Sequence, residues 1–303
     1  MLNFINALPG AVVQGLIWSI MALGIYITFK ILDIADLTVD SSFCTGGAVC
    51  IVMMNMGYSV PLSMLLALLA GMAAGFLTGI LHSYMGIPMI LSGILTQLIL
   101  WSINLVNIMG GAANLALKNS RKVFRLVNLA KNDFSLLVLL GLTAAVIGVL
   151  YYFFGTEIGC AIRATGSNDK MSRAQGINTH FTRILGLAIS NGLVALSGSL
   201  WAQYRGAIDI SDGKGAIVIG LAAVIIGQTF FSKISRNFAV QLFSVLLGSI
   251  IYFIIYTAAV NWGLNMGYLK MLAAVIMVVM LSFPVIAKKF HFKKKVKGDT
   301  TNA

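Results

Sequence analysis

Long apolar runs broken by short polar interruptions fill most of this 303-residue chain. Nine runs fall near 9–29, 41–56, 60–82, 87–109, 134–154, 182–202, 216–231, 238–256 and 268–287. A bilayer core about 30 Å thick takes about 20 helical residues, and hydrocarbon excludes open strand edges, so each run predicts a helix. The second and seventh runs are short, and each follows a polar segment rich in Asp and in Gly or Ser. Both read as incomplete spans. The pattern therefore predicts an all-α transmembrane fold of about nine segments, two of them short or broken.

Composition agrees with the pattern. Apolar residues make up 59% of the chain and charged residues 10%, against about 25% charged in soluble domains, and the mean hydropathy is +0.93. The net charge of +12 is carried by short loops and the C-terminal end. It therefore suits a membrane surface rather than nucleic acid. The first residues, MLNFINALPG, lack a basic n-region, so the first run is expected to be retained rather than cleaved. Cys44, Cys50 and Cys160 are too few and too irregularly spaced for a disulfide framework or a metal site, and read as buried structural thiols.

Lys and Arg favour the cytoplasmic ends of short loops. The tail KKFHFKKKVKG sets residues 288–303 inside. Counting back puts Lys233 and Arg236, and the polar loop of about 155–181, inside as well. An odd number of spans then places the N-terminus outside. The exception is the loop after the fourth run, where Lys118, Arg121, Lys122 and Arg125 recur at helical spacing opposite Leu117, Ser120, Phe124 and Val127. That spacing predicts an amphipathic helix along the outer surface or a solvated basic loop, with docking of an external partner as a further reading.

The stretch DLTVDSSFCTGGAV (Asp36 to Val49) introduces one short run, and DISDGKGAIVIG (Asp209 to Gly220) introduces the other. If the loop of about 155–181 joins two halves, about 9–109 and 182–287, the chain is an inverted repeat with a broken helix in each half. Gly71, Gly75 and Gly79 leave one helix face without side-chain bulk, a close-packing feature. Gln97, Trp101 and Asn104 in the fourth run, and Gln241, Ser244, Gly248 and Tyr252 in the eighth, form stripes that must face protein or a watery path. Interhelical hydrogen bonding and path lining both account for them. Asp36, Thr38, Asp40, Ser41 and Asp209 at the breaks join Gln97, Trp101 and Asn104 as candidate lining of a translocation path, and Asp212 is expected at a helix end.

Catalytic signatures are missing. No GxxxxGK[ST], HExxH, GxSxG or paired-carboxylate pattern occurs, and His82, His180 and His291 have no partner spacing. No run carries a carboxylate well inside it, which weakens proton coupling and moves the energy source to another subunit.

The polar loop itself contains TEIGCAIRATGSNDKMSRAQGINT, Thr156 to Thr179. Gly159, Arg163, Ala164, Gly166, Asn168, Gly176, Ile177 and Asn178 follow the order G-x-x-x-R-A-x-G-x-N followed by G-I-N. This closely resembles the cytoplasmic coupling loop of permeases in the branched-chain amino acid and ribose class of ABC importers. ADLTVDSSF (Ala35 to Phe43) and SGSLWAQYRGAIDISDGKGAIVIGLAAVIIG (Ser197 to Gly227) resemble that family too. Ala35 stands where many relatives have Gly, and Gly227-Gln228 where many have a double Gly. ADLTVDSSF and INLVNIMGGAANL (Ile103 to Leu115) look most like a subgroup associated with aromatic amino acid uptake.

The resemblance implies a single permease domain over 1–287 that pairs with itself and forms the path at the pair's interface. It implies an ABC ATPase inside that binds ATP and Mg, no cofactor on this chain, and a substrate-binding protein outside. It also implies a short coupling helix near 160–176, with glycines for its turns and Arg163, Lys170 and Arg173 offering charge to the ATPase. A secondary carrier with inverted repeats, a passive channel, and a sugar or nucleoside cargo remain the alternative readings.

Overall fold

The computed structural model describes residues 2–118, 125–127, 132–231 and 237–262, with scattered positions from 268 to 282. The described chain runs α1 (Leu2–Tyr26), α2 (Val39–Asn55), α3 (Val60–Ser83), α4 (Met89–Ile103), β1 (Asn114–Ala116), α5 (Asn132–Gly155), α6 (Glu157–Ser167), α7 (Asp169–Ala174), α8 (Thr179–Arg205), β2 (Ala207–Asp209), α9 (Ala216–Phe231) and α10 (Phe238–Asn261). Five-residue π-helical turns extend α1 through Ile27–Ile31 and α4 through Asn104–Ile108. Among the described residues six helices are long and apolar enough to cross a bilayer, namely Ala7–Ile31, Val60–Ser83, Met89–Ile108, Phe134–Gly155, Thr179–Arg205 and Phe238–Asn261. The helices Val39–Asn55 and Ala216–Phe231 are apolar but shorter. The ninth expected run, 268–287, and the basic tail lie largely or wholly outside the described residues.

Local chemistry sets the ends. Pro61 occupies the start of α3, where a missing N–H costs nothing. Gly206, at φ 75°, closes α8 in the left-handed conformation. A two-stranded antiparallel ribbon then pairs Asn114 with Asp209, Leu115 with Ile208 and Ala116 with Ala207. The ribbon joins the loops after α4 and α8, outside the long apolar helices. Asn55 ties it to the end of α2, accepting from the Lys118 N–H at 2.8 Å and donating to the Ala116 carbonyl at 3.2 Å. The amphipathic segment expected around 117–127 falls mostly outside the described residues. Its described ends are strand and turn up to Lys118 and non-helical chain at 125–127.

The two most buried long helices are α1 and α8. Association in lipid lacks the hydrophobic drive available in water, so close backbone approach through small residues supplies dispersion contact instead. The Gly71–Gly75–Gly79 face of α3 meets α8 in this way. A Cβ added at Gly75 would strike the Leu187 carbonyl, and one at Gly79 would lie 2.9 Å from the Ile184 Cα. The crossing of α2 and α8 is as tight, with Gly46 against Ala195 and Gly198 against the Phe43 carbonyl. Hydroxyls reinforce α1, since Ser190 and Ser197 of α8 donate to the Gly24 and Ile17 carbonyls at 2.7 and 2.8 Å. The stripe on α10 is also a packing device. Gln241 accepts from the Tyr26 hydroxyl at 2.7 Å, Gly248 abuts α9, and Tyr252 is buried.

Cys44 and Cys50 are buried as expected, but Cys160 is exposed, because it falls on the outer face of α6, opposite Gly159 and Ile162, which pack inward.

A Val at Gly75 forces the α3–α8 crossing apart. It should lower stability by about 1–3 kcal/mol through overpacking, read as a reduced melting temperature of the purified protein. Gly148→Ala on α5, where an added Cβ meets nothing within 4 Å, should leave the melting temperature unchanged.

Candidate functional site

Three helix starts organise the polar loop, each capped by its preceding side chain. Thr156 accepts from the Gly159 N–H at 3.3 Å, Asn168 from Met171 at 3.1 Å and Asn178 from Phe181 at 3.2 Å. Ser, Thr and Asn at these positions satisfy amide groups that the first helical turn leaves free. The expected single helix near 160–176 is thus two helices, α6 and α7, because Asn168 takes an extended conformation (φ −157°, ψ 102°) to cap the second. Gly176, at φ 83°, makes the turn toward α8.

Gly159 and Gly166 have a different use from the bends expected of them. Both lie inside α6, and their missing side chains admit neighbouring backbone. A Cβ on Gly159 would strike the Phe153 carbonyl, and one on Gly166 the Ile31 carbonyl, with the Leu32 Cα at 2.8 Å. The Thr165 and Thr182 hydroxyls, 2.9 Å apart, bind α6 to α8. Arg163 lies over the Phe238 ring, 5.2 Å from its centroid, at the start of α10. Arg173 pairs with Asp169 at 3.2 Å and donates to the Thr179 hydroxyl at 2.8 Å. Arg183 also reaches Asp169, at 3.0 Å. Lys170 is exposed, and Ala164 and Ile177 are half-buried.

The contact made by Gly166 leads straight to the first helix break. After the π-helical turn the chain unwinds over residues 32–38, and Asp33 adopts φ 56°, a left-handed conformation uncommon outside glycine. Asp36 is 2% exposed. Its carboxylate accepts from the Thr38 N–H at 2.9 Å and the Asn191 amide at 2.7 Å. No Lys or Arg pairs with it among the described residues. Asn191 in turn accepts from the Ser42 hydroxyl at 2.7 Å, while the Thr38 and Thr78 hydroxyls lie 2.8 Å apart. This network joins the break to α2, α3 and α8.

Asp40, in the first turn of α2, reaches across to the second short helix. Its two carboxylate oxygens accept from the Gly215 and Ile217 N–H groups at 2.8 and 3.0 Å, at the start of α9. A carboxylate there meets both the unpaired amides and the positive end of the helix dipole. Ser41 donates to the Gln97 carbonyl at 3.0 Å, and Asn104 donates to the Thr45 hydroxyl at 3.0 Å. Asn104 is buried with its side-chain oxygen unpartnered, Gln97 is half-buried and Trp101 is exposed at 40%.

The candidate path residues thus form three groups in this chain: a latch at Asp36 and Thr38, a seam between α2 and α4 at Ser41, Gln97 and Asn104, and the cap at Asp40. Asp209 lies apart at the end of β2. Hydrogen bonds from Ser211 hold its carboxyl below the ordinary range, with Arg205 contributing. Asp212 accepts from the Asp209 N–H at 2.9 Å and pairs with Arg205 at 2.7 Å. Sequence reasoning missed Asn191, Ser42 and Thr78. A lone Asn in the middle of an apolar run was the available signal for the first.

The comparisons with known proteins agree with this architecture. Residues 8–281 match the model of the family described as branched-chain amino acid transport system, permease component. The chain is 37% identical to the tyrosine transport system permease protein of Clostridioides difficile (strain R20291), over 89% of this chain and 88% of that protein. It is 27% identical to the autoinducer 2 import system permease protein of Salmonella paratyphi B, over 58% of this chain and 50% of that one. Among solved structures, PsaBC from Streptococcus pneumoniae in complex with Fab is similar in fold, with a TM-score of 0.54 and 14% identity over 92% of this chain and 95% of that one. A family match across nearly the whole length, on a bundle of membrane-length helices, makes this chain a multi-pass membrane protein of the family of branched-chain amino acid transport system permease components.

Proposed function

We propose that this chain is the membrane subunit of an ABC importer that passes an amino acid, aromatic in class, across the cell membrane using ATP hydrolysed by a partner. The observation that carries the reading is the seat of Gly166 on the Ile31 carbonyl and Leu32. It links the exposed α6–α7 element to the unwound segment that holds Asp36 and leads into α2, where Asp40 sits. A displacement delivered to α6 by a docked ATPase would press on the helix break directly. Packed helices transmit such pushes because their contacts are not continuously deformable.

The remaining parts follow from that role. In this reading ATP and Mg are bound by the ATPase rather than by this chain. Two copies of the chain form the path at their interface, and an extracytoplasmic binding protein delivers the solute. Residues 1–287 form one domain, with the tail 288–303 and the α6–α7 loop on the cytoplasmic face and the N-terminus outside. The inverted repeat is supported by exchanged packing, since α3 lies along α8 and α10 along α1. The capping of α9 by Asp40 of α2 supports it too. Likeness to a tyrosine permease supports an aromatic amino acid. Likeness to an autoinducer 2 permease supports a sugar-like cargo as the second reading.

Gly166→Val tests the coupling contact in proteoliposomes containing a partner ATPase and binding protein, with labelled tyrosine inside or outside. Overpacking by about 1–3 kcal/mol corresponds to a coupling loss of roughly 5- to 150-fold. Transport and substrate-stimulated ATP hydrolysis should fall together by that factor, with insertion unchanged. Wild-type uptake by the variant would remove the coupling role, and uptake without ATP would favour a secondary carrier. Competition by a pentose but not by tyrosine would favour the sugar-like cargo.

A further inference from the structure

A cavity of about 600 Å³ opens where α5 ends and α6 begins, beside the first residues of α10. Tyr151 and Tyr152 form one side, Phe238 another, and Thr156, Arg163 and Asn237 supply polar groups. The long apolar stretch of α5 stops at Gly155, so the cavity sits at the level where hydrocarbon gives way to water. Tyrosines are suited to that boundary, with an apolar ring and a wet hydroxyl. Both are exposed, Tyr152 at 79%.

The guanidinium of Arg163 is the cation of this cavity. Among the described residues no carboxylate pairs with it, and the Phe238 ring beneath it leaves its N–H edge available. A planar five-donor fork on an aromatic ring matches the oxygens of a phosphate. The tyrosine and phenylalanine rings offer contact to the acyl-glycerol part of the same molecule. A carboxylate from a soluble protein would use the cation but leave the apolar wall empty.

We propose that this cavity binds the headgroup of an anionic phospholipid, whose phosphate sits on Arg163 and whose glycerol and first acyl carbons lie against Tyr151, Tyr152 and Phe238. The bound lipid then clamps the α5–α6 corner to the start of α10. Attraction of this kind follows the net negative charge of the lipid. The site shares Arg163 and helix α6 with the proposed coupling loop, so its test reads lipid binding rather than transport.

The test uses the purified full chain in uncharged detergent, melted with added dioleoyl phosphatidylglycerol, dioleoyl phosphatidylcholine or inorganic phosphate, and native mass spectrometry to count bound lipid. Phosphatidylglycerol should raise the melting temperature by about 3 °C or more and remain bound, with phosphatidylcholine giving much less. Arg163→Gln should abolish the difference. Tyr152→Glu, which places a negative charge at an exposed wall position of the cavity, should abolish it too. Arg173→Gln, on the neighbouring helix, should keep it. An equal shift with phosphate alone would overturn assignment to a lipid. Equal responses in wild type and both cavity variants would overturn the site. Loss of ATPase co-purification in Arg163→Gln without any lipid response would make the cavity a protein-docking surface and overturn the proposal.

Discussion

Everything else in the molecule depends on how closely α8 can approach its neighbours. Water does not drive helices together inside a bilayer, so the stability of the bundle rests on backbone contact at Gly46, Gly71, Gly75, Gly79 and Gly198, and on serine hydroxyls donated to α1 carbonyls. A helix held on three sides in this way leaves its polar residues no lipid to face. Asn191 therefore points into protein, where it holds both Asp36 and Ser42. The tight crossings and the polar latch are one arrangement: the first sets the distance at which the second can form.

That latch answers a problem the fold creates for itself. Unwinding residues 32–38 frees backbone groups in a partly buried stretch, where they need partners within the protein. Short polar side chains supply them, Asp36 for the Thr38 amide and Asp40 for the amides that open α9. The break is consequently connected on several sides, to α3 through Thr38 and Thr78, to α8 through Asn191, to α9 through Asp40 and to α6 through Ile31 and Leu32. A segment of that kind can change conformation only by moving its neighbours. That property suits the coupling proposed for α6.

The lengths of the apolar runs made the long helices legible in the sequence, because span length is set by the bilayer and is a local property. The helix break was legible for the same reason, since Asp and Ser at the edge of a short apolar run have few places to go. The polar loop stood out through the ordered spacing of Gly159, Arg163, Gly166 and Gly176. Its geometry did not. Gly159 and Gly166 were read as turn formers, whereas their function is to admit the backbone of residues distant in sequence or in the preceding turn. A single sequence holds no record of which carbonyl will arrive at a given glycine. The division into α6 and α7 was readable in principle, as Asn168 followed by Asp169 is an N-cap signal, but the resemblance to a single coupling helix overrode it. The small β-ribbon escaped notice because its three residue pairs have no strand pattern and join loops far apart in sequence.

The most direct measurement of the central claim is accessibility of the α7 surface. With Cys44, Cys50 and Cys160 replaced, a lone Cys at exposed Lys170 is treated with a membrane-impermeant maleimide, first in intact cells and then in inside-out vesicles with and without the ATPase subunit. The account predicts no labelling in cells, rapid labelling in vesicles, and protection when the ATPase is bound. Labelling from outside intact cells, or labelling in vesicles that the bound ATPase leaves unchanged, would contradict it.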